Sequence, residues 1–167
     1  VAAARVPRPD VSDESIRDAG LRLCDRLWNA KISSDTGACR WIGPATFFGN
    51  CRRVTVLRED LPDGMAGIVL ALAAAAAVDP TPLRQQRVNA ITASWIDMLP
   101  CTLGASHQPG WGGLGGWLTT MGMLTQLGVR DDDGVAGRLV SMAGDVCQDG
   151  AHDVATGLSG LIGGLCM

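Results

Sequence analysis

Three times in this chain a Gly-x-x-Gly tag opens an apolar stretch, at intervals that hardly change. Gly64-Met65-Ala66-Gly67-Ile68 leads into an uncharged run ending at Val78. Gly113-Leu114-Gly115-Gly116-Trp117 leads into Leu118, Met121, Met123, Leu124 and Leu127, and Gly157-Leu158-Ser159-Gly160-Leu161 into Ile162, Leu165 and Met167. The first glycines stand 49 and 44 residues apart. With 22 glycines present, one tag alone means little. Three at near-equal spacing, each leading an apolar helix, mark a repeat architecture. Glycine suits such a place for two reasons: it lets backbone approach backbone closely, and it permits dihedrals that a Cβ disfavours.

A second helix is expected after each of the first two tagged ones. Thr81-Pro82 starts one, with Pro82 suited to the first helical position and Leu83, Val88, Ile91, Trp95 and Met98 as its apolar stripe. The next opens after Asp131 to Asp133 and carries Val135, Leu139, Val140 and Met142. Each unit therefore reads as tag, inner apolar helix, loop and outer amphipathic helix. Ahead of the units, Ser12 with Asp13 and Glu14 forms an N-cap and acidic first turn. It starts a leading helix over Asp13 to Lys31, with Ile16, Ala19, Leu23 and Leu27 on one face, flanked by Gly20, Cys24 and Trp28. Residues 32–60 lose the helical period and carry turn signals at Asp35-Thr36-Gly37, Gly43-Pro44 and Gly49-Asn50. They read as a long loop with one short strand at Arg53 to Leu57. The fold class expected is all-α, with a short extension over 1–11 and the repeat domain over 12–167.

Composition narrows the function classes. The chain has 167 residues, a hydrophobic fraction of 47% and a net charge of −3, which allows a core and offers no electrostatic footprint for nucleic acid. Arg52-Arg53 is the nearest thing to a basic patch. Six cysteines never stand closer than Cys39 and Cys51, so paired-cysteine zinc and redox motifs are excluded. They read as reduced, packed thiols of a cytoplasmic protein. The apolar run from Met65 to Val78 falls short of the roughly 20 residues that a membrane span needs.

The tags, in order, resemble the cyclase domain of class II lanthipeptide synthetases, the lanthionine synthetase C-like family. Trp41-Ile42-Gly43 followed by Leu61-Pro62-Asp63-Gly64-Met65-Ala66-Gly67-Ile68, with Leu70 and Leu72, is similar to the opening of that domain. Gly110-Trp111-Gly112-Gly113-Leu114-Gly115-Gly116-Trp117-Leu118 resembles its second tag, and Asp153-Val154-Ala155-Thr156-Gly157-Leu158-Ser159-Gly160-Leu161 its third. The resemblance runs from about Asp13 to the last residue. It implies an α/α toroid of seven helical hairpins around a cavity. It also implies a zinc ion that holds a cysteine thiolate of a precursor peptide, which adds to a dehydroalanine or dehydrobutyrine to close a thioether ring. Zinc keeps such a sulfur deprotonated near neutral pH, and an acid must protonate the resulting enolate.

In one respect the chain departs from that family. The zinc ligands and catalytic histidine sit in Ala-His-Gly, Trp-Cys-x-Gly and Cys-His-Gly motifs, and none of these occurs here. The resemblance therefore implies the N-terminal portion of a cyclase domain, with a leading helix and nearly three hairpins, and metal ligands lying in repeats beyond it. The partner implied is the precursor peptide, leader plus dehydrated core. An incomplete ring edge would also favour self-association. Asp153 is the candidate catalytic residue, matching the family aspartate before the third tag that assists proton transfer at the cavity; the bland reading of His152-Asp153 is a helix cap.

The remaining candidates read as structural: His107 and His152 as loop residues, Cys166 as packing, Trp111 and Trp117 as core, and Asp131 to Asp133 as a solvated helix start. An aspartate-rich motif of the terpenoid-cyclase kind is not supported there, because the run falls between helices. A second function class stays open, a zinc-less module of the same superfamily that binds a peptide or partner without catalysis.

Overall fold

The computed structural model describes residues 12–47, 51–99, 110, 112–129 and 134–146. Over these the protein is mostly helical. Two small antiparallel ribbons lie between the first and second of five helices: α1 (Asp13–Asn29), β1 (Ile32–Ser33), β2 (Cys39–Arg40), β3 (Ile42–Phe47), β4 (Cys51–Val56), α2 (Met65–Val78), α3 (Pro82–Ile96), α4 (Leu114–Gln126) and α5 (Val135–Val146).

The inner and outer roles follow from composition. Helix α2 is apolar on every side, and Met65, Ala66, Val69, Leu72, Ala73 and Ala76 are all buried. A helix of that kind is stable only where neighbours enclose most of it, and here only Gly67, Ala74, Ala77 and Val78 are left exposed. It packs against α1, α3 and α4. Every residue of α4 from Leu114 to Met121 is buried, and α5 packs on its outer side. The two tagged helices are thus direct neighbours, each with its own outer helix. The outer helices are one-sided. On α3, Val88, Ile91 and Trp95 face inward; on α5, Val135, Leu139 and Ala143 do so. Leu83 and Val140, expected in the stripes, are exposed.

Helix α1 begins where its cap predicts, with Ser12 Oγ accepting from the Ser15 amide at 3.2 Å. Its packed side is the expected flank and not the centre of the expected face. Cys24 is buried and Leu21 and Trp28 pack on the core, whereas Ile16 and Leu23 are 58% and 56% exposed. Two adjacent apolar stripes run along this helix, and α2 takes the one containing Cys24. The other borders a groove of about 550 Å³ between α1 and α2, floored by Gly20, Ala71 and Ala74. Cross-ties hold α1 in place. The Arg17 guanidinium donates to the Val78 carbonyl at the end of α2 (2.9 Å), and Asp25 accepts from both Arg84 and Arg87 on α3. A cation at the C-terminus of α2 also complements its dipole.

Residues 32–60 correct the expectation of a loop with one strand. β1 pairs with β2, and β3 pairs with β4 from Ile42↔Val56 to Phe47↔Cys51. Pro44 does not prevent this, since a two-stranded ribbon is all edge and tolerates a missing N–H. The segment is anchored, not adrift. Trp41 Nε1 donates to the Leu27 carbonyl (2.7 Å), the Cys39 amide to Ser94 Oγ (2.9 Å), and Trp95 Nε1 to the Glu59 carbonyl (2.8 Å). Among the described residues no helix is long and apolar enough to cross a membrane.

Candidate functional site

The tagged ends of the inner helices form the candidate site, because there backbone, glycine and carboxylate are brought closest together. Helix α2 has no side-chain cap. Its first amides are taken up by the preceding turn instead: Met65 N–H donates to the Arg58 carbonyl at 2.7 Å and Ala66 N–H to the Asp60 carbonyl at 3.3 Å. This wraps residues 58–63 tightly around Gly64. A Cβ at Gly64 would stand 2.4 Å from the Asp60 carbonyl, 2.6 Å from the Arg58 carbonyl and 2.6 Å from Asp60 Oδ1. No side chain fits.

Gly64 has φ −122°, a value open to any residue, so close approach and not dihedral freedom explains the glycine. Gly67 differs, as a Cβ there would meet only the Leu61 carbonyl at 3.6 Å, an ordinary contact.

The second tag repeats the device. Gly113 N–H and Gly116 N–H both donate to the Gly110 carbonyl, at 3.0 and 3.3 Å, and α4 likewise lacks a side-chain cap. One turn in, Trp117 is buried with an indole N–H that has no partner among the described residues. The expectation that Trp117 belongs to the core holds. Thr119 and Thr120 turn their hydroxyls back to the Gly115 and Gly116 carbonyls, each at 2.8 Å, which keeps both buried groups satisfied.

Two carboxylates at the first tag were not singled out by sequence. Glu59 is almost wholly buried, and its carboxylate meets the exposed Arg58 guanidinium at 3.5 Å. Asp60 Oδ1 accepts from the Asp63 amide at 3.1 Å. Burial raises the Asp60 pKa above the usual aspartate range; the Asp63 amide opposes this, and the neighbouring Glu59 charge adds to it. The available signal was the run Arg58-Glu59-Asp60-Leu61-Pro62-Asp63-Gly64, three acids packed against a glycine turn.

Asp153, His152 and the third tag lie outside the described residues, as do His107, Trp111, Asp131 to Asp133 and Cys166. Two described cysteines, Cys24 and Cys39, are free and buried. Cys24 Sγ donates to the Ala71 carbonyl at 3.4 Å, and desolvation raises its pKa. A thiol held protonated in this way is the opposite of a metal-binding thiolate. Among the described residues no three His, Cys, Asp or Glu side chains converge on a possible metal position. The described residues of this chain do not fit a zinc ion.

No protein-family model matches the chain, and no curated protein matches it.

Proposed function

We propose that this chain supplies the leading helix and opening hairpins of a lanthionine synthetase cyclase domain, an α/α toroid of the class II lanthipeptide type working in the cytoplasm. The reading rests on one structural relationship. Two helices opened by glycine tags lie against each other, each backed by its own outer helix, and in both the first amides donate to carbonyls of the preceding turn. That is the local unit from which a hairpin ring is assembled, and its order along the chain matches the resemblance carried by the tags.

In the whole domain, a peptide cysteine already deprotonated to the thiolate would form a C–S bond to the β-carbon of a dehydrated residue, as the Cα=Cβ π bond breaks and its electrons pass to the enolate. The α-carbon would then take a proton, which Asp153 is proposed to deliver. The precursor peptide is the substrate. The test is a graft in which residues 12–167 replace the corresponding hairpins of an active class II cyclase, assayed on a dehydrated peptide by thiol alkylation and mass spectrometry. Thioether formation is expected. A graft that folds, retains zinc and leaves every peptide thiol free would overturn the proposal, and would instead fit the non-catalytic binding module.

A further inference from the structure

We draw no further inference here: the strongest candidate, the apolar groove between α1 and α2 rimmed by Ile16 and Leu23, is an unpartnered face whose charged lining residues, Asp13 and Arg17, offset each other, so nothing in the structure shows what covers it.

Discussion

The carbonyl oxygen of Asp60 lies 2.4 Å from where a Cβ on Gly64 would stand. The turn therefore closes on the helix end so tightly that the first glycine of the tag is a steric requirement. The second glycine of the same tag, Gly67, has room.

Two glycines in one motif should consequently respond in opposite directions to alanine. Gly64→Ala must push two backbone carbonyls aside and should cost about 1–3 kcal/mol, the range of overpacking in a closed site. Gly67→Ala lies within α2 and should be neutral or stabilising by up to about 1 kcal/mol, through helix propensity and a stiffer unfolded chain. Denaturant unfolding followed at a helical wavelength measures both. Equal effects from the two substitutions would show that the tag acts through something other than close approach.

The helices of the first two units were legible in the sequence, because an apolar run such as Met65 to Val78 and a stripe such as Val88, Ile91 and Trp95 report burial directly. Ring closure and the role of Asp153 were read only from resemblance. The ribbons were hidden for a physical reason: Gly43 and Pro44 are breakers in the middle of a sheet but acceptable in a two-stranded edge. Helix α1 misled differently. Ile16 and Leu23 form a good stripe, yet periodicity does not say which of two neighbouring stripes meets a partner, and the choice fell to Cys24 because Ala71 and its neighbours on α2 leave room for close packing. Asp60 is not legible in the sequence, because its unusual environment is made by the folding of the turn onto Gly64 and not by its neighbours along the chain.

That difference between the stripes has a measurable consequence. Ile91 is fully buried, and Ile91→Ala should cost about 2–5 kcal/mol. Leu23→Gln, at the rim of the groove, should change stability by no more than about 0.5 kcal/mol. It should also reduce binding of a hydrophobic dye to the α1–α2 groove. A large loss of stability in Leu23→Gln would mean that the stripe is covered after all.

Asp60 supplies a pH dependence with a defined sign. Its pKa is raised in the folded state, so the native protein holds the proton more tightly than the unfolded chain does. Stability from this group falls as pH rises from the ordinary aspartate pKa of about 3.9 through the raised value, and the full cost remains at neutral pH. Asp60→Asn keeps an acceptor for the Asp63 amide and removes the charge. It should be more stable than the parent at neutral pH, with the advantage vanishing in acid. A variant destabilised equally at both pH values would refute this account of the carboxyl.

Cys24 should behave as a sheltered thiol. With Sγ donating to Ala71 and desolvation raising its pKa, it should resist alkylation in the native protein at mildly alkaline pH and react once denaturant is added. Peptide mapping after brief iodoacetamide treatment checks this. Native-state labelling at the rate of an exposed cysteine would contradict the observed packing of α1 on α2.

The most direct measurement is the rate of thioether closure by the grafted cyclase with Asp153 intact and with Asp153→Asn. A positioned acid contributes about 10²- to 10⁴-fold to a proton transfer. The substitution should therefore slow ring closure by one to three orders of magnitude, roughly, while zinc content and helical signal stay unchanged. An unchanged rate in the substituted graft would return Asp153 to the status of a helix cap, and a graft with no closure in either form would contradict the cyclase assignment itself.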